Sequence, residues 1–251
     1  METKIFLLGG YDLEMITIKK LLLDNGYNEG TEIFDQKLNW GANLSSYVHV
    51  LELNPEAKIY GIELNEDIET PNNYISIDHH NEKTHYPTSL EQVAELLNIE
   101  LNKYQKLVAA NDANYIPGMQ ELGATKEQIA DIRKNDRAAQ GVSPEDELLA
   151  IEAIKNKSIK NDITIVKSET SKFSTISDRL FGQYKELIVY TDDQLCYYGT
   201  IKTNILIKKY FNLIHKKTAY YGGNKSFFGI TNSKTQTEQN IEYYVEEICN
   251  L

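Results

Sequence analysis

Asp78, His79 and His80 follow one another directly after the apolar run of residues 74–77. A carboxylate and two imidazoles suit a hard-to-borderline divalent cation. Where a strand frays into a loop, two or three consecutive side chains can turn toward one site. Taken alone, the run reads more readily as a surface Asp with two exposed histidines, and its company is what shifts the balance. Asp12, Asp35 and Glu63 each stand at or just past the end of another strand-like run. In open α/β sheets, ligands collect outside the carboxyl ends of the strands. Asn111-Asp112 stands beyond a later helical stretch, where capping and turn formation would also account for it. Gly222-Gly223, with Asn224 and Lys225 after them, offer backbone N–H groups and an ammonium to a phosphate, because glycine lets the backbone approach closely. A plain turn explains the same residues. Arg179 is a lesser basic candidate, or an exposed surface Arg.

The elements that must position these groups alternate between β-type and helical patterns over the first 80 residues, the mark of βαβ units and a largely parallel sheet. Residues 4–8, 32–34, 58–64 and 74–77 read as strands, and 13–24 and 44–53 as helices. From Thr88 the pattern turns helical. Ser89-Leu90-Glu91-Gln92 reads as a capping box, and Leu90, Val93, Ala94 and Leu97 follow at helical spacing. Further helices are expected at 101–110, at 126–136 after Thr125, and at 144–154 after Ser143, with Pro144 at the first helical position. Residues 155–162 read as a linker or exposed turn, which places a domain boundary near residue 158. Strands are then expected at 163–166, 187–190 and 194–198, with Asp192-Asp193 as the hairpin turn. A helix around 203–214 and a terminal helix bearing Ile241, Val245 and Ile248 complete the pattern. The expected fold class is α/β: a parallel-sheet N-terminal domain with a helical stretch, and a smaller α/β C-terminal domain.

Composition bounds the partners. The 251 residues are 41% hydrophobic and 25% charged with a net charge of −11, an ordinary globular balance and a poor match to a long nucleic-acid duplex, which is gripped by many Lys and Arg. A small or short phosphorylated substrate fits better. With only Cys196 and Cys249 present, neither a disulfide framework nor a Cys-based zinc site is expected. No apolar stretch is long enough to span a membrane and no signal-peptide pattern opens the chain, so a cytoplasmic protein without a membrane partner is expected. Trp40, within residues 35–41, either lines a cleft or packs in the core.

The order Gly10-Tyr11-Asp12-Leu13-Glu14, Glu63, Asp78-His79-His80, Asn111-Asp112 and, near the C-terminus, Tyr221-Gly222-Gly223-Asn224-Lys225-Ser226 resembles the DHH superfamily of phosphoesterases. That superfamily includes single-strand exonucleases, nanoRNases, cyclic-dinucleotide phosphodiesterases and inorganic or polyphosphate phosphatases. The resemblance covers most of the chain. It implies a metal-binding catalytic domain over residues 1–158 and a small substrate-binding domain over 159–251. It further implies a hydrolase that uses metal-activated water on a short oligonucleotide, a cyclic dinucleotide or another small phosphoester. Asp12, Asp78 and Asp112 would be the main carboxylate ligands, His79 an imidazole ligand, and Glu14 and Glu63 further ligands. His80 would be a second imidazole ligand or a phosphate-facing catalytic acid. The implied cofactor is Mn²⁺, as a pair of ions, with Mg²⁺ the alternative, and Gly222, Gly223, Asn224, Lys225 and Arg179 would bind substrate. The chain departs from the pattern at Gly10, where a His is usual, at Glu14 and Glu63, where Asp is usual, and at Asn224, where a third Gly is common. A catalytically degenerate binding or scaffold protein of the same fold is the competing expectation.

Overall fold

A computed structural model describes residues 3–39, 41–223, 225–231 and 239–251. The chain divides into two compact units, residues 1–141 and 142–251. In the first, β1 (Lys4–Leu8), β2 (Ile33–Asp35), β3 (Lys58–Ile62) and β4 (Tyr74–Ile77) form a wholly parallel sheet in the order β2-β1-β3-β4. Strand β1 is apolar on both faces, as a strand buried between two layers must be. Ile5 and Leu7 pack with Leu44, Tyr47, Val50, Leu51 and Ile59, an apolar layer that includes helix α2 (Val48–Leu53). Phe6 stacks on Tyr60 at 5.3 Å and meets Tyr27 edge-on at 4.9 Å. The Tyr47 hydroxyl, fully buried, donates to the Leu8 carbonyl at 2.6 Å and so secures the outgoing end of β1.

Because β2 lies on one side of β1 and β3 on the other, the chain leaves the sheet in opposite directions at their carboxyl ends, and a crevice opens there. Gly9 makes this possible. A Cβ at that position would stand 2.2 Å from the Glu63 carbonyl oxygen, so only glycine lets the exits of β1 and β3 pass so closely.

Helix α1 (Leu13–Asp24) starts at Asp12, whose side chain accepts from the Met15 N–H. Helices α3 (Ser89–Leu97), α4 (Lys103–Glu121) and α5 (Lys126–Ala139) follow. The capping box of α3 is Thr88 with Glu91, one residue earlier than expected, and Ser89 is the first helical residue. Helix α4 runs well past Ala110 but is broken at Asn114 and Tyr115, which leave helical geometry. Asp112 therefore lies inside the helix rather than beyond it. Among the described residues, no helix is long and apolar enough to cross a membrane.

The second unit begins with α6 (Pro144–Lys155), capped by Ser143 with Asp146. The expected boundary near residue 158 is thus displaced to 141/142, because Ala150 and Ala153 of α6 are buried with Val166, Phe173, Ile176 and Leu187. The stretch expected as a linker contains strand β5 (Ser158–Lys160), which pairs antiparallel with β6 (Ile163–Lys167). After α7 (Ser174–Leu180) come β7 (Glu186–Tyr190) and β8 (Gln194–Tyr198), joined as a hairpin through Asp192-Asp193. The helical stretch after residue 203 is two helices, α8 (Thr203–Lys209) and α9 (Phe211–His215), which meet at Tyr210. Strands β9 (Ala219–Gly222) and β10 (Phe227–Thr231) and helix α10 (Ile241–Cys249) complete a six-stranded sheet, order β5-β6-β7-β8-β10-β9, with helices on both faces. Both units are α/β.

Candidate metal centre

At the carboxyl ends of β3 and β4, one ligand atom each from Glu63, His79, His80 and Asp112 lies within 4.8 Å of the others. Glu63 follows β3 directly and sits at a positive φ of 53°, a conformation a glutamate adopts at a cost of roughly 1–3 kcal/mol. Its backbone N–H is held by the Ile77 carbonyl at 2.9 Å. His79 and His80 follow β4, and Asp112 arrives from α4. His79 Nε2 stands 2.6 Å from Asp112 Oδ2, 3.5 Å from Glu14 Oε2 and 3.9 Å from Glu63 Oε1. His80 Nε2 is 3.6 Å from Glu63 Oε1 and 4.0 Å from Asp112 Oδ2. Donors ~2.1 Å from a shared cation would be about 3.0–3.4 Å apart, a spacing these distances bracket.

Glu14 Oε2, Glu63 Oε1, His79 Nε2 and Asp112 Oδ2 are buried and find no hydrogen-bond partner outside the cluster itself. Folded chains rarely bury polar atoms without partners. Of the six such side-chain atoms among the described residues, four converge here, and a divalent cation would satisfy them together. The residues present therefore fit a metal.

The charges strain one another without it. Burial, then the neighbouring Glu63 carboxylate, pushes Asp12 up to about 7 against the hydrogen bond from Met15. Burial likewise holds Glu14 well above the usual carboxylate range. For His79, burial alone would lower the pKa, but the Asp112 and Glu14 carboxylates override it and raise it to about 10. The Glu63 carboxylate raises His80.

The expected ligands thus divide. Glu63, His79, His80 and Asp112 come together, and Glu14 stands behind His79 with its other oxygen accepting from the Leu90 N–H at the start of α3. Asp12 and Asp78 lie outside the four. Asp12 caps α1 through Oδ1. Asp78 accepts from the His80 N–H at 2.9 Å and lies 3.5 Å from Lys83 Nζ. It turns the backbone so that both histidines can face inward. In the other unit, Gly222, Gly223 and Lys225 form the hairpin turn between β9 and β10, with Ser226 N–H donating to the Gly222 carbonyl. Asn224 and Trp40 lie outside the described residues. Arg179 is committed to Glu147 and to the Thr175 carbonyl.

Sequence reasoning missed the support behind Asp112. Arg133 on α5, buried, donates to Asn111 Oδ1 at 2.9 Å and to Asp136 Oδ2 at 2.6 Å. Asp136 in turn accepts from the Leu13 N–H at 3.3 Å. The available signal was a charged pair three residues apart beside the buried Ile132.

No protein-family model matches the chain, and no curated protein does. Several solved structures are similar to it. The DHH domain of a member of the s1p family of ribosomal proteins is 14% identical with a TM-score of 0.47, over 97% of this chain and 76% of that one. A pGpG-specific phosphodiesterase from Vibrio cholerae is 9% identical with a TM-score of 0.49, over 98% of each chain. RecJ in complex with Mn²⁺ from Thermus thermophilus is 10% identical with a TM-score of 0.46, over 98% of this chain and 52% of that one.

Proposed function

We propose that the chain is a metal-dependent phosphoesterase whose divalent cation is held by Glu63, His79, His80 and Asp112. The observation that carries this reading is the convergence of donor atoms from Glu63, His79, His80 and Asp112 at the crevice of a parallel sheet, three of them buried with no hydrogen-bond partner outside the cluster. Mixed imidazole and carboxylate donors suit Mn²⁺, with Mg²⁺ the alternative. When bound, such an ion supplies Lewis acidity and lowers the pKa of a water it carries.

The chain's own residues do the rest. Asp78 fixes the backbone of His80, and His80 is the more exposed imidazole, 30% accessible against 7% for His79. It is the group of the four best placed to pass a proton to a departing oxygen. Asp12, held near 7, can keep or release a proton at neutral pH. The cavity at the site, bordered by Gly10, Gly41, Glu63, Asn65, Asp78 and His80, measures about 120 Å³. That suits a single phosphoryl group on a short substrate and, with a net charge of −11, disfavours a duplex. With Asp12 capping α1 and Asp78 accepting from the His80 N–H, we read one tightly held ion, and a second would have to recruit both. Gly222, Gly223 and Lys225 are proposed separately as an anion-binding turn of the 142–251 unit.

The test is metal content after purification in Mn²⁺ together with hydrolysis of bis-p-nitrophenyl phosphate by wild type and His79→Ala. About one equivalent of metal, with activity lost in the variant, is expected. Neither metal nor hydrolysis would leave a binding protein of the same fold.

A further inference from the structure

Helices α8 and α9 bury one side and leave an apolar, basic one in water. Leu206 and Tyr210 turn inward and pack with Phe228 and Ile230 of the sheet. Away from that core, Ile201, Ile205 and Phe211 are 63%, 48% and 62% exposed. Lys208, three residues after Ile205, is exposed with them, as are Lys216 and Lys217 just past α9. A single exposed apolar side chain is ordinary, whereas several together, bordered by charge, mark an interaction surface. The sequence sets this stretch apart as well. Between Asp193 and Glu238 stand seven lysines and no Asp or Glu, in a chain whose net charge is −11. Lys202 and Lys209 are held by Glu186 and Glu247. Lys208, Lys216 and Lys217 have no ion pair among the described residues.

The first unit carries the opposite arrangement. Between α3 and α4 runs an open groove of about 560 Å³, floored by Ala94, Ala109 and Ala110 beside Ile99 and Leu101. These small side chains leave room that larger ones could fill. Four glutamates, Glu91, Glu95, Glu100 and Glu121, stand around the floor. Glu91 accepts from the Thr88 N–H and Glu100 pairs with Lys106 at 3.2 Å. Glu95 and Glu121 are exposed and have no ion pair among the described residues. An apolar floor with carboxylates at its edge thus matches an apolar ridge with lysines along it, in charge and in relief.

We propose that the partner of each surface is a second copy of this chain: the α8–α9 ridge of one copy seats its apolar side chains on the alanine floor of another and sets its lysines against the glutamate rim. A nucleic acid or an anionic lipid surface would cover the ridge alone and leave the groove open, and Ile201 and Ile205 offer a base no planar face to stack on. The two patches are unlike, so the contact runs head to tail, either closing reciprocally or extending from copy to copy. It holds with or without a cation at the cluster.

The test is sedimentation of the full chain from about 10 µM to about 1 mM, a range that brackets a weak contact. Wild type should gain mass with concentration. Lys208→Glu with Lys216→Glu, and separately Glu95→Lys with Glu121→Lys, should each weaken the association about tenfold or more, because like charges then face each other. An equimolar mixture of these two double variants should associate again, since each ridge then meets a rim of opposite sign. Ile205→Ser, which alters no charge, should weaken the association too. A wild type that stays monomeric, charge reversals or Ile205→Ser without effect, or a mixture no better than its components overturns the inference. So does a monomer that instead co-sediments with phosphatidylglycerol vesicles through Lys208 and Lys216, which would give the ridge to a lipid surface.

Discussion

In metal-free solution, the cluster at the sheet edge should make the fold proton-dependent in an unusual direction. Asp12 is raised from 3.8 to about 7 and His79 from 6.5 to about 10. Both shifts are upward, so the folded chain holds more protons than the unfolded one. The Asp12 contribution is complete below pH 3.8 and is lost as pH rises through 7; that of His79 is complete below 6.5 and is lost through about 10. A buried carboxyl displaced this far corresponds to roughly 2–4 kcal/mol, a sizeable part of the about 5–15 kcal/mol that holds a domain together. Urea unfolding of the EDTA-treated chain should therefore show a midpoint that falls steadily from about pH 6 to about pH 9. Asp12→Asn keeps the helix cap, because Asn caps as well as Asp, and removes one carboxylate from the crowd. It should be more stable than wild type at about pH 8, with a shallower fall. Saturating Mn²⁺ should cancel the fall, since its binding displaces protons. A metal-free midpoint that is flat or rises over this window, or an Asp12→Asn variant weaker than wild type at the alkaline end, would refute the reasoning.

Gly9→Ala places a methyl 2.2 Å from the Glu63 carbonyl; because the obstacle is backbone, the variant should lose about 3 kcal/mol or more, read as a drop in urea midpoint or as failure to accumulate folded. Asp136→Ala removes the carboxylate that accepts from Arg133, Leu13 N–H and Gln140 and should cost about 3–5 kcal/mol; in a double-mutant cycle, adding Arg133→Met should recover part of that loss. Burial pushes the Cys196 thiol up to about 12, so it should resist a thiol reagent at about pH 8 in the native chain and react at once in denaturant.

The parallel sheet was legible because each strand is a short apolar run and the carboxylates recur at their ends. That Glu63 and the two histidines would come together was legible for the same reason: a strand terminus fixes where its next residues go. The division of labour among the acids was not legible. Asp12 and Asp78 have the same chemistry as Asp112, and only backbone geometry decides that the first caps α1 and the second turns the chain for His80. Asp112 itself looked like a turn residue because a helix interior has no local marker when its next residues are Ala, Asn and Tyr. The boundary at residue 141 was hidden because α6 has the same capped, apolar-striped pattern as α5, and which neighbour buries it is a tertiary matter.

The break in α4 has a further effect on the cluster. Because Asn114 and Tyr115 leave helical geometry, the first part of α4 stops within two residues of Asp112. Its peptide dipoles then end beside the carboxylate rather than cancelling along a continuous rod, and a helix end of this polarity carries about half a negative charge. Straightening α4 would leave Asp112 its carboxylate but withdraw that field. On the proposed metal reading, affinity would then fall with no ligand changed, and the irregular turn would be part of the ion's environment.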